Sequence, residues 1–229
     1  MTLAALIGRT WLRFVAPIAV LTAIVWAPIG HIAFHVMTPA NAAQSRVVLR
    51  VGWLVAGSAT IALLVLVGAV APVVRAIARG EQRSQVAMLR AGLAALVRAI
   101  VPATIVMFAV AIGALALAVP GVLLYVLLVL APASDAEGVR ARIADSVAVV
   151  RREWRVVALV LGVAFAAIAA TVLAQQLALP MPLPKKPTAA QLIAFPALVR
   201  TASLACAIVL PLAAVTLAAV HARASSTRR

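Results

Sequence analysis

Long apolar runs alternate along the chain with short basic segments, and the lengths of the runs set the class of protein. Runs at about 14–36, 47–74, 101–119, 156–179 and 192–220 contain no acidic residue. Most reach the roughly 20 residues that a helix needs to cross a hydrocarbon layer of about 30 Å. A further run, 122–133, is short: at 1.5 Å per residue it covers about 18 Å, enough for an oblique crossing or a re-entrant dip. It is fenced by Pro120-Gly121, a strong turn signal, and by Pro132.

Three segments between the runs read as amphipathic helices. In residues 1–13, Leu3, Ile7 and Trp11 lead at helical spacing to Phe14, with Arg9 and Arg13 off the stripe. The first apolar run is too long for the core of a cleaved signal peptide, so it is expected to stay as a span. Gly80 suits a helix stop, and from about 84 to 100 Val86, Leu89, Leu93, Leu96, Val97 and Ile100 form one arc, with Arg83, Arg90 and Arg98 outside it. Ser134 to Glu137 has the spacing of a capping box. From 135 to 155, Val139, Ile143, Val147, Val150, Trp154 and Val157 share one face, while Arg140, Arg142, Asp145, Arg151, Arg152 and Arg155 share the other. The proline-rich stretch 180–187 is read as an extended connector.

The pattern therefore predicts an all-α polytopic membrane protein. It forms a single integral domain over 1–229, with about six transmembrane helices and two or three amphipathic surface helices. Composition agrees: 66% of residues are hydrophobic, 11% are charged and mean hydropathy is +1.17, against roughly a quarter charged in soluble domains. The small residues Gly52, Gly57, Ser58 and Gly68 of the second run suit close helix packing in lipid.

Charge adds orientation. The net charge is +15, but the basic residues sit between apolar runs rather than among aromatics on a soluble face, which points to anionic headgroups and away from nucleic acid. With six crossings, 15 of the 20 Lys+Arg fall on the side of both termini and 5 on the other. The positive-inside bias then predicts a bacterial cytoplasmic (inner) membrane protein with both termini cytoplasmic. A faint threefold echo accompanies this: Arg9 to Arg13, Val97-Arg98 and Arg152-Glu153-Trp154-Arg155 each close a basic segment that enters an apolar run.

Arg79-Gly80 with its amphipathic helix, Val119-Pro120-Gly121, Pro132, Glu137-Gly138 and the helix to Trp154 with a central Ser146 carry a resemblance. Over roughly 75–165 the chain resembles the glycerophosphoryl diester phosphodiesterase membrane-domain family and related uncharacterised multi-span bacterial proteins. In that family hydrolysis belongs to a separate catalytic domain, so the resemblance implies membrane architecture without an activity.

Candidate chemistry is sparse. His31 and His35 stand one helical turn apart, the spacing of helix-borne metal sites, but no third ligand is at hand and they read as interfacial or packed histidines. Cys206 reads as a small buried hydrophobe, and Gln175 and Gln176 as donors between helices. No nucleophile with its base, phosphate-cradling loop or convergent carboxylate pair is visible, so neither enzymatic activity nor a cofactor is expected. Arg83, Arg90, Arg98, Arg140, Arg151, Arg152 and Trp154 are the expected contacts to anionic lipid or to a membrane-protein partner. The first reading is a non-enzymatic accessory or membrane-organising protein. The alternative is a small transporter or permease-like subunit, with Glu137 as its functional acid beside the Pro120-Gly121 break.

Overall fold

The computed structural model describes residues 2–36, 45–116, 118–178 and 188–226, and among them the fold is all-α. Six α-helices follow in order: α1 Leu3–Val36, α2 Ser45–Ala78, α3 Gln85–Ala116, α4 Ala118–Leu128, α5 Val139–Ala178 and α6 Ala189–Ser226, with a 3-10 turn at Ala131–Ala133 after α4. Five stretches are long and apolar enough to cross a membrane: Leu3–Ile32, Val55–Ala78, Gln85–Leu115, Val139–Ala174 and Ser203–Ser226; Val119–Ala133 is shorter. This is the make-up of an integral membrane protein.

Helix α2 is the centre of the bundle. It packs against α1, α3, α6 and the 3-10 turn, and every residue from Ala62 to Ala71 is buried, as expected of a helix that is apolar all round. Close approach at its middle depends on Gly68. A Cβ there would stand 2.5 Å from Ala99 Cβ and 3.0 Å from the Pro132 carbonyl. Gly57, by contrast, has nothing within 4 Å, so only one of these two small residues makes the packing expected of them; the Gly52 side of that expectation lies outside the described residues.

Local rules explain most helix ends. Gly80 (φ +71°) closes α2 in a Schellman motif, with Glu81 N–H donating to Ala76 O at 2.9 Å and Gly80 N–H to Ile77 O at 3.0 Å. Thr2 and Ser84 cap the first turns of α1 and α3. Thr188 and Gln191 form a reciprocal capping box at α6.

Several expectations need correction. The segment 84–100 is not a separate surface helix; it is the first part of α3, continuous with the span that follows, whereas the segment expected at 135–155 begins only at Val139 and is set off from the rest of α5 by a kink at Glu153. Pro120-Gly121 is not the turn. Both residues lie inside the first turns of α4, where Pro is tolerated because its missing N–H would have no helical partner. Gly121 instead lets α4 lie against α3: a Cβ there would be 2.8 Å from Ala114 Cβ. The Ser134–Glu137 capping box does not form, since α5 begins only at Val139 after Gly138 (φ +81°).

Helices α1 and α5 each contain one non-helical residue, Phe14 (φ −131°, ψ 29°) and Glu153 (φ −111°, ψ 24°). Both fall where a basic segment meets its apolar run, matching two members of the threefold echo. Pro17, three residues on, accounts for the break at Phe14 by removing a donor and crowding the Arg13 carbonyl. Neither proline nor glycine sits near Glu153, and nothing in the structure explains that kink.

Candidate functional site

The polar groups of the bundle gather at one end, where the C-terminal turns of α2 and α6 meet the α4–α5 link and the start of α5. Arg75, near the end of α2, reaches sideways. One Nη donates to the Ala133 carbonyl at 2.7 Å and the other pairs with Asp135 at 2.7 Å. The Asp135 carboxylate is 66% exposed, so the ion pair contributes at most about 1 kcal/mol. The charge-assisted bond to the carbonyl of buried Ala133 contributes more, about 1.5–3 kcal/mol. It fixes the link to α2.

Asp145 joins three segments. Its Oδ2 accepts from Ser134 Oγ at 2.7 Å and lies 2.8 Å from His221 Nε2, which ties α5 to the α4–α5 link and to α6. Ser134 and His221 are buried, each 3% exposed, so these bonds are shielded from water and hold Asp145 firmly. Ser134 Oγ also accepts from Ala136 N–H at 3.2 Å. Serine, aspartate and histidine together evoke a hydrolase triad, but their order is wrong for one: the carboxylate sits between serine and histidine, so the imidazole is not placed to take the serine proton.

Ser146, fully buried, faces the other way and donates to Leu127 O at 2.7 Å. That carbonyl belongs to the last turn of α4 and has no partner within its own helix. The central serine of the sequence motif is thus the group that stitches α5 to the short helix.

These groups wall a cavity of about 430 Å³ lined chiefly by Arg75, Arg79, Ser134, Asp135, Asp145 and His221, with Ser225 and Ser226 at its rim. Its volume falls within the roughly 300–1,000 Å³ of ligand sites.

A family model described as an uncharacterised protein family, UPF0259, matches residues 30–183, which is most of the chain and includes Arg75, Asp135, Asp145 and Ser146. The chain belongs to the uncharacterised protein family UPF0259. No curated protein and no solved structure matches it. The expected kinship with uncharacterised membrane proteins is met by this family, whereas the likeness to the phosphodiesterase membrane domain has no support among the matches. The UPF0259 match ends before α6, so His221 contributes to the cavity from outside the matched region.

In this UPF0259 protein the residues expected to be functional do not converge on the cavity. Arg83, Arg90, Arg98, Arg140, Arg151 and Arg152 are all exposed on the outside of the fold. Arg83 pairs with Glu81 at 2.7 Å. Trp154, expected to contact lipid or a partner, is 56% exposed and lies under the Arg155 guanidinium at 5.7 Å. Glu137 is exposed and does not line the cavity. His31 and His35 stack edge to face at 4.2 Å, and no group of three or more His, Cys, Asp and Glu suited to a metal occurs among the described residues. Cys206 is buried. The side chains of Gln175 and Gln176 and the stretch 180–187 lie outside the described residues.

Sequence reasoning missed Arg75, Arg79, Asp135 and His221. A signal existed for two of them, since Arg75 and Arg79 stand at i and i+4 at the end of an otherwise uncharged run and must share a face. Nothing local marked His221; its importance comes from a bond to Asp145, 76 positions away.

Proposed function

We propose that this UPF0259 protein is a non-enzymatic accessory or membrane-organising component of the bacterial cytoplasmic membrane that binds anionic lipid headgroups along its arginine-rich end. The observation that carries the reading is the exposure of all six outer arginines, Arg83, Arg90, Arg98, Arg140, Arg151 and Arg152, on helices that become free of charge beyond Arg98 and Arg155. On α3 the arginines share their outward surface with Val86, Leu93, Val97 and Ile100, which are also exposed. A side chain with an aliphatic stem and a cationic head, set on such a surface, suits the boundary between acyl chains and phosphates.

The test is retention of anionic lipid by protein gently extracted from its own membrane, read by native mass spectrometry. Each arginine near a headgroup layer contributes about 1 kcal/mol. Changing all six to Gln should therefore lower retained phosphatidylglycerol by tenfold or more. Retention unchanged from the parent protein, with the fold intact, would sink the proposal.

A further inference from the structure

The cavity at the arginine-rich end is built differently from the outer surface. Its cations come from one side, Arg75 in the last turn of α2 and Arg79 just past its end; its carboxylates come from the neighbouring segments, Asp135 on the α4–α5 link and Asp145 on α5. We propose that this cavity binds a small zwitterion in which a phosphoryl group and an ammonium are joined by a short linker.

The charge layout argues for both ends of such a ligand. A simple anion drawn to the arginines would also face two carboxylates, and a simple cation drawn to the carboxylates would face two guanidiniums. Arg75 and Asp135 already pair at 2.7 Å, and a zwitterion lying along that pair meets the guanidiniums with its phosphoryl oxygens and the carboxylates with its ammonium, leaving the net charge of the site unchanged. The donors argue for phosphoryl rather than carboxylate at the anionic end. Arg75 uses one N–H on Ala133 O and one on Asp135, so its guanidinium has further donors to offer. Arg79 stands beside it, 55% exposed and 3.5 Å from Glu81. Two guanidiniums on one face divide naturally between phosphoryl oxygens, whereas a carboxylate is satisfied by a single fork. The carboxylate wall is held in place before any ligand arrives, because buried Ser134 and His221 both engage Asp145.

The same chemistry is offered by a phosphatidylethanolamine headgroup and by a free phosphoethanolamine-type compound. The test uses the full-length protein in detergent micelles, titrated with O-phosphoethanolamine, inorganic phosphate and ethanolamine. Saturable binding of phosphoethanolamine at least tenfold tighter than of either fragment is expected. Arg79→Gln, at an exposed position, should fold and weaken that binding about tenfold. Asp135→Asn should narrow the preference over phosphate. Equal affinity for phosphate and phosphoethanolamine, absence of saturable binding, or binding unchanged in both variants would overturn the proposal.

Extraction from vesicles of phosphatidylethanolamine and phosphatidylglycerol distinguishes the sources. One phosphatidylethanolamine retained per chain and displaced by free phosphoethanolamine identifies a lipid ligand; binding of the free compound with no such lipid retained identifies a soluble one. Preferential retention of phosphatidylglycerol that is lost in Arg79→Gln would count against a zwitterion site. The variant lacking the six outer arginines keeps Arg75 and Arg79, so its cavity should bind as before, and the two proposals fail separately.

Discussion

Gly68 and Ser146 show how much a single position decides in this fold. Lipid gives helices no hydrophobic reason to associate, so contact area and hydrogen bonds must hold them. A methyl group at Gly68 would collide with Ala99 Cβ at 2.5 Å and with the backbone of Pro132, neither of which is the yielding tip of a long side chain. Gly68→Ala should destabilise the protein by about 1–3 kcal/mol, while Gly57→Ala, with open space around it, should not; SDS-induced unfolding in mixed micelles reads both. Equal effects would mean that helix propensity outweighs packing. Ser146→Ala removes the hydroxyl that donates to Leu127 O and leaves that carbonyl without it at a buried seam. A loss of about 1–3 kcal/mol is expected, with faster amide exchange in α4 than elsewhere. Sequence spacing pointed to Gly68 as a packing residue, but it gave the same standing to Gly57, because the difference lies in which helix passes opposite.

At the scale of elements, the basic segments were legible as amphipathic helices, but which side of each meets the bundle was not. On α3, Val86, Leu93, Val97 and Ile100 point outward, while Met88, Gly92, Ala99 and Ala103 are buried. The rule that large apolar residues mark the inside holds against water; against lipid the inside goes to small residues that permit close approach. On α5 the buried stripe runs through Ser146, Val150, Val157 and Leu161 and leaves Trp154 outside. The cavity was less legible still, since its walls come from α2, the α4–α5 link, α5 and α6, and no local pattern brings them together. Of its bonds, the one between α5 and α6 is the most exacting: Asp145 and His221 meet at 2.8 Å with the imidazole 4% exposed. A double-mutant cycle with Asp145→Asn and His221→Ala should give a coupling energy of about 1–3 kcal/mol in the same unfolding measurement. Additivity within about 0.3 kcal/mol would show that the two side chains are neighbours without an energetic link.

For the whole molecule, the three hairpins α1–α2, α3–α4 and α5–α6 each begin with a basic segment, and the bonds between Arg75, Asp135, Asp145 and His221 draw the closing end of α2, the link after α4 and the closing end of α6 together. Short α4 thus returns the chain to the end from which α3 set out, so the arginines at 140–155 lie on the same end as those at 75–98. Had the chain not returned after α3, those two basic groups would lie at opposite ends and cancel the orientation bias. Since a count for six crossings assigns 15 of the 20 basic residues to the side of both termini and insertion retains Lys and Arg on the cytoplasmic side, both termini should be cytoplasmic. A fluorescent reporter that folds only in the cytoplasm, fused after Arg229, should be bright. A phosphatase reporter that folds only outside it should be active when the chain is truncated after Lys186 and inactive after Arg83. Activity after Arg83 would invert the orientation. It would also place the six outer arginines against the opposite leaflet, removing the electrostatic basis for reading them as a headgroup surface of the cytoplasmic face.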